Sequence, residues 1–261
     1  MSESSPTFLA TEGIHNFRDY GGYPTQGGGR VRTGLLFRSG QHCEASEADL
    51  RTFADLGIRT VIDLRGNGER ERFPCRRPDL WDGEVVFYDG ETSSRPPHEP
   101  EKPTELTPET AHDRMLKVYT RMPGNAAMQS IFGQYLRALA EREGGSLVHC
   151  FAGKDRTGIA AALLHHILGV SRADMLTEFL HTNAAPTYEI LERQSLPGIE
   201  ERLGVQLDRE TISELMEVRE AYFDRFFATV DDGWGSLDTF LAQAIGVDDS
   251  LREGLNARFV A

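Results

Sequence analysis

Residues 146–169 read SLVHCFAGKDRTGIAAALLHHILG, and the order of residue types in this stretch decides the fold. An apolar run ends at Cys150, a small polar loop follows through Phe151, Ala152, Gly153, Lys154 and Asp155, and from about Arg156 the apolar residues Ile159, Leu163 and Ile167 recur at helical spacing. A strand therefore delivers a thiol to the start of a helix. There, unpaired backbone N–H groups and the positive end of the helix dipole favour a bound anion. The same field favours thiolate over thiol, which makes Cys150 a candidate nucleophile.

The loop suits one anion in particular. The residues between Cys150 and Arg156 are enough to curl the backbone around a phosphate with successive N–H groups pointing inward. Arg156 closes the ring, because its planar fork can make two parallel hydrogen bonds to phosphoryl oxygens. Gly153 lets the backbone turn where a side chain would obstruct it, and Thr157 offers a hydroxyl to the sulfur. A buried core cysteine does not explain Lys154, Asp155 and Arg156 together. A Walker-type nucleotide loop is excluded, since Gly153 and Lys154 are followed by Asp155 and position 148 is Val. The other cysteines lack an arginine at this spacing: Asp49 lies six residues past Cys43, and Trp81 six past Cys75.

Strands and helices alternate on either side of this segment. Leu35 to Arg38, Ile58 to Leu64 and Val85 to Tyr88 read as short strands. Ser46 caps a helix carrying Leu50, Phe53 and Ala54, and two further helices are expected from about Ala111 to Met122 and Asn125 to Glu143. The alternation predicts an α/β fold, a central mostly parallel or mixed sheet with helices on both faces. Glu91 to Thr110 contains five prolines and reads as a loop or lid within one domain, 1–261, because the residues on both sides are needed for one sheet. From Ser171 to the end the chain reads as helical, a part of the same domain that could cover the site, with Ser171 and Asp174 forming a capping pattern and Ser236 starting another helix.

The 28 Lys and Arg against 41 Asp and Glu give a formal net charge of −13. That field repels nucleic acid and anionic membrane surfaces, so a phosphorylated ligand has to be held by a locally positive site. Three cysteines without framework or zinc-knuckle spacing fit a reducing compartment. The stretch MSESSPTFLA lacks the basic start and apolar run of a signal peptide, and no segment reaches the length of a spanning helix. The cytoplasm is the expected location, with non-classical export left open. Composition does not address oligomeric state.

HCFAGKDRTG at 149–158 resembles the signature loop HCxxGKDRTG of the bacterial cysteine-dependent tyrosine and dual-specificity phosphatases. Asn16 to Arg38 (NFRDYGGYPTQGGGRVRTGLLFR), GIRTVIDLR at Gly57 to Arg65, DMLTEFLHTN at Asp174 to Asn183 and GSLDTFLAQAIGV near the C-terminus are similar to the same family. The resemblance implies a tyrosine-phosphatase-like domain that hydrolyses phosphate monoesters. Cys150 would form a phosphocysteine, Arg156 and the loop amides of Phe151, Ala152, Gly153 and Lys154 would hold the phosphoryl oxygens, and no metal or cofactor would take part. Two carboxylates could protonate the leaving oxygen: Asp155 within the loop, which is favoured, and Asp89 after a strand, for which a solvated turn is an equally good reading. Lys154 could reach a second phosphate, which extends the expected substrates from phosphotyrosine, and possible phosphoserine or phosphothreonine, to phosphoinositides. The competing readings are a phosphate-binding pseudophosphatase and a rhodanese-like sulfurtransferase. Intact Cys150, Asp155 and Arg156 oppose the first, and the sulfurtransferase would not need Arg156 and Thr157 in this arrangement.

Overall fold

The computed structural model describes residues 7–92, 106–204 and 206–261. Five strands form one mixed sheet in the order β1-β2-β5-β3-β4, where β1 is Arg18–Asp19, β2 Leu36–Ser39, β3 Ile58–Asp63, β4 Glu84–Phe87 and β5 Gly145–His149. Only β1 runs antiparallel to its neighbour; the other pairs are parallel.

Side-chain alternation along the central strands sorts the core into two layers. Phe37, Val61 and Leu147 are register partners on one face and pack under Leu50 and Phe53 of α1 (Glu47–Asp55). Leu36, Ile62 and Val148 project to the other face, into a larger cluster that also holds Ile159 and Leu163 of α5 (Asp155–Ile167), Phe132 of α4 (Ala126–Glu141) and Tyr119 of α3 (Pro108–Arg121). That cluster continues through Phe179 of α6 (Arg172–Leu180), Phe223 and Phe227 of α9 (Glu220–Trp234), Phe240 of α10 (Leu237–Phe240) and Leu255 of α11 (Asp249–Phe259). Central β5, hydrogen-bonded on both sides, leads through the loop 150–154 into α5, which is buried along most of its length.

Local sequence sets the helix boundaries. Ser46 Oγ accepts from Asp49 N while Asp49 Oδ2 accepts from Ser46 N, a reciprocal cap for α1. Ser171 and Ser236 cap α6 and α10 as expected. The helix expected from Ala111 begins earlier, because Thr107 accepts from Thr110 N and Pro108 occupies the first turn, where no N–H is needed. The expected loop or lid from Glu91 to Thr110 is corrected accordingly at its end, and its middle, 93–105, lies outside the described residues. Asn125 is the cap of α4 rather than part of it, its Oδ1 accepting from Ala127 N and Met128 N. Two elements were not anticipated: two-residue β1, too short to show alternation, and α2 (Asn67–Arg72), a turn-and-a-half of almost wholly polar sequence. Past α6, α7 (Tyr188–Leu203) and α8 (Arg209–Met216) join through a small cluster of Leu191, Ile212 and Met216 that reaches Ala152 of the loop. No helix among the described residues is long and apolar enough to cross a membrane.

Candidate active site

The carboxyl ends of β2, β5 and β3 lie side by side, and the segments that leave them build the site. Ligand sites in open parallel sheets form at such strand ends. Cys150 follows β5 directly and is 2% exposed. It sits in a cleft of about 550 Å³ whose walls come from α2 (Glu69, Arg72), the loop itself, α7 (Leu191, Gln194) and the end of α8 (Met216). Phe73 and Phe151 meet edge to face, centroids 5.5 Å apart, and both line the cleft.

The loop is held from outside by its carbonyls. Gln41 N donates to Phe151 O at 2.9 Å, while Arg38 Nη2 and Asn16 Nδ2 donate to Gly153 O at 2.7 and 2.9 Å. Among the described residues, the backbone N–H groups from Phe151 to Thr157 donate to no protein acceptor. Turning the carbonyls out leaves these donors for a ligand. Gly153 is required twice over: its φ is +67°, and a Cβ there would stand 2.3 Å from Gly40 N and Ser39 C.

Beneath the loop lies a buried ion cluster. Glu178 of α6 accepts from Arg18 Nη2 at 2.7 Å through Oε1 and from Arg38 Nη1 at 2.5 Å through Oε2. Burial alone would raise the Glu178 pKa, but the two guanidinium groups outweigh it and hold it at about 2. Asn16, with a left-handed φ of 60°, accepts from Arg18 and passes its own amide to Gly153 O. A strained non-glycine backbone at this point fits a position fixed by its surroundings.

Arg156 faces Glu69, its Nη1 and Nη2 donating to the two carboxylate oxygens at 2.6 and 2.8 Å. Burial opposes charge on both groups, yet the pair raises the arginine pKa and lowers that of the glutamate. Arg156 Nη1 also reaches Leu64 O and Thr92 Oγ1. Among the described residues, Nε–H and one hydrogen of Nη2 remain without an acceptor, and they lie on one edge as the parallel pair a phosphoryl group accepts.

Asp155 lines the cleft beside Cys150 and Arg156, and Tyr119 Oη donates to its Oδ1 at 2.7 Å. Desolvation, together with that carboxylate, lifts the Tyr119 pKa well above 10, so the phenol keeps its proton. Asp89 is exposed, accepts from Asn67 Nδ2, and is not part of the cleft. Lys154 is almost fully buried; its Nζ donates to the Leu215 and Glu217 carbonyls at the end of α8 and lies 3.7 Å from Asp155 Oδ1. Thr157 Oγ1 is buried without a hydrogen bond among the described residues, so the expected contact with the sulfur is not made here. His149 has a buried ring whose Nδ1 lies 3.3 Å from Cys150 O.

Cys150, Phe151, Ala152, Lys154, Asp155 and Arg156 thus come together at one cleft, with Gly153 at its supporting turn and Thr157 below. Sequence reasoning did not find Glu69, Tyr119 or the Arg18–Arg38–Glu178 cluster. Glu178 lies within DMLTEFLHTN, and Glu69 a few residues past GIRTVIDLR.

A cysteine at the foot of a loop whose amides have no protein acceptor, with a paired arginine six residues on, is the arrangement expected of the cysteine-dependent phosphatases. Residues 9–261 match the tyrosine phosphatase family, and the chain belongs to it. It is a protein-tyrosine phosphatase. A Cupriavidus necator protein whose name reads "Putative tyrosine-protein phosphatase" is 34% identical over 92% of this chain and 85% of its own. The triple specificity protein phosphatase PtpB of Mycobacterium tuberculosis is 28% identical over 89% of this chain and 92% of its own. The solved TpbA of P. aeruginosa aligns with 77% of this chain and 90% of its own at 16% identity and a TM-score of 0.33.

Proposed function

We propose that the protein hydrolyses phosphate monoesters through a phosphocysteine on Cys150, with phosphotyrosine as the principal substrate class. The observation that carries this reading is the outward rotation of the loop carbonyls, which leaves inward amides and the Arg156 edge around Cys150. The cysteine sulfur attacks phosphorus, and the loop N–H groups with Arg156 bind the non-bridging oxygens, more strongly as charge builds on them. Glu69 fixes the guanidinium plane. Asp155 protonates the leaving oxygen and then takes a proton from the water that hydrolyses the intermediate. Tyr119 anchors Oδ1 and so leaves Oδ2 for that work. Asp89, exposed and outside the cleft, has the weaker case.

The edge-to-face pair of Phe73 and Phe151 gives an aryl ring an apolar wall. Phosphoinositides form a second class of substrate. The Lys154 amine, a candidate for reading a second phosphate, is occupied by α8 carbonyls, so its role here is to anchor the end of α8. We also infer that 1–261 is one domain, because a single apolar cluster runs from Tyr20 to Phe259. A cytoplasmic location is the accompanying inference, supported by the reading of the cysteines.

The test is Cys150→Ser with p-nitrophenyl phosphate and a phosphotyrosine peptide. Turnover should vanish while peptide binding persists, because the amide cradle and Arg156 survive the change. Substantial turnover by the serine variant would refute the phosphocysteine pathway.

A further inference from the structure

His42, Cys75 and His149, none of which lines the cleft, each offer one ligand atom, and the three atoms lie within 4.8 Å of one another. His42 follows β2, His149 ends β5, and Cys75 lies on the irregular stretch between α2 and β4. Both imidazoles are fully buried. Among the described residues, neither ring nitrogen of His42 has a hydrogen-bond partner, and neither does His149 Nε2. Buried polar atoms without partners are rare in native structures and call for an explanation. Two such imidazoles meeting at one point, beside a thiol, is a concentration that packing does not account for.

The surroundings of His149 sharpen the point. With Nδ1 set against Cys150 O, a neutral ring carries its proton there and turns the Nε2 lone pair outward. That lone pair lies 3.5 Å from Asp63 Oδ2. A proton on Nε2 or a metal cation relieves this apposition, and Asp63 itself is already paired with Arg65.

We propose that His42, Cys75 and His149 form a binding site for one zinc-like divalent cation, with Asp63 beside His149 as a nearby counter-charge. The donor set of two imidazoles and a thiolate suits borderline-soft Zn²⁺ and does not suit Mg²⁺ or Ca²⁺. Closing the site draws the ligand atoms together by about 1 Å, since tetrahedral edges are roughly 3.3–3.6 Å. Cys75 can supply that shift, being half-buried and outside regular structure. Binding releases the thiol proton to solvent, as metal binding to cysteine does generally. Arg65 Nη2 donates to Cys75 Sγ at 3.2 Å and stands ready as an outer partner for the thiolate. Its own charge is already matched by the bidentate pair with Asp63. The ion would tie the Cys75 segment and the turn after β2 to the residue that precedes Cys150, without touching the phosphate.

The test begins with the full chain, stripped of metal and titrated with Zn²⁺ against a chromophoric chelator. One equivalent should bind, the unfolding temperature should rise, and binding should persist in Cys150→Ser. Cys75→Ser and His42→Gln should each weaken binding more than about 100-fold, beyond the 10–100-fold typical of an outer partner. Loss of binding in Cys150→Ser with retention in Cys75→Ser would place the ion on the catalytic thiol and overturn the proposal. Should the ligand variants fail to fold, Co²⁺ loading of Cys43→Ser/Cys150→Ser decides. Intense tetrahedral d–d bands with a thiolate charge-transfer band support the site, and their absence refutes it.

Discussion

Replacing Glu178 by Gln removes the single carboxylate that Arg18 and Arg38 share beneath the catalytic loop. All three side chains are at most 2% exposed, so the two guanidinium charges would be left facing each other in a dry interior. Breaking a buried pair in this way costs about 3–5 kcal/mol. The pH dependence gives an independent figure. The folded-state pKa of Glu178 is depressed from 4.5 to about 2. Its contribution is therefore complete above the unfolded-state value and is lost as pH falls from there towards 2. A difference of about 2.5 units corresponds to about 3 kcal/mol, of which roughly 2 kcal/mol is gone by pH 3. Urea unfolding of wild type and Glu178→Gln at pH 7 and pH 3 should thus show a stability gap that narrows by about that amount, other carboxylates cancelling in the comparison. Turnover at pH 7 should fall as well, because Arg38 also holds Gly153 O. A gap that stayed constant between the two pH values would refute the assignment of a shared, ionised Glu178.

Asp155→Asn should slow esters with poor leaving groups by about 10²–10⁴-fold while affecting activated aryl phosphates much less, and Asp89→Asn should be mild; the reverse ranking would move the acid to Asp89. Lys154→Ala should reduce phosphotyrosine and phosphoinositide turnover together, because the lysine amine anchors the end of α8. Selective loss on phosphoinositides would instead assign Lys154 to a second phosphate. Gly153→Ala has to adopt a φ of +67° with a Cβ 2.3 Å from Gly40 N; calorimetry should find a loss of at least about 1–2 kcal/mol, and an unchanged melting temperature would contradict the loop geometry.

The parts of the fold visible in the sequence are those whose cause is local. A strand of β-branched residues such as Ile58–Asp63, a capped helix such as α1 and the strand-loop-helix around Cys150 each carry their own signal within about ten residues. β1 and α2 do not. Arg18–Asp19 is a strand because Phe37 and Arg38 lie opposite, and Asn67–Arg72 has no buried residue to set a period. The same division runs through the site. Loop residues 150–156 are contiguous and could be read as a unit, whereas Glu69 and Tyr119 meet that loop from sequence separations of 87 and 36 residues. A polar side chain chosen for a partner that far away leaves no pattern of its own. Lys154 shows the converse. Its neighbours in sequence imply an anion ligand, but the carbonyls that occupy it belong to a helix end more than sixty residues on.

The acidity of the chain calls for a locally positive site, yet the structure meets that demand with little net charge. Arg156 is matched by Glu69, Arg65 by Asp63, and Lys154 lies near Asp155, while Arg18 and Arg38 share Glu178. Five cationic side chains thus stand against four carboxylates, and the formal surplus is a single charge. A phosphoryl group must be attracted by direction more than by total charge: by amides aimed inward from Phe151 to Thr157, by the start of α5, and by the one edge of Arg156 that Glu69 leaves open. Such an arrangement is fixed before the ligand arrives and needs no reorganisation to stabilise charge at the moment of reaction. It also explains why so many buried ion pairs surround the loop. A carboxylate behind each cation holds it in place, and an acidic protein can retain such carboxylates at little cost so long as their partners turn the remaining donors towards the cleft.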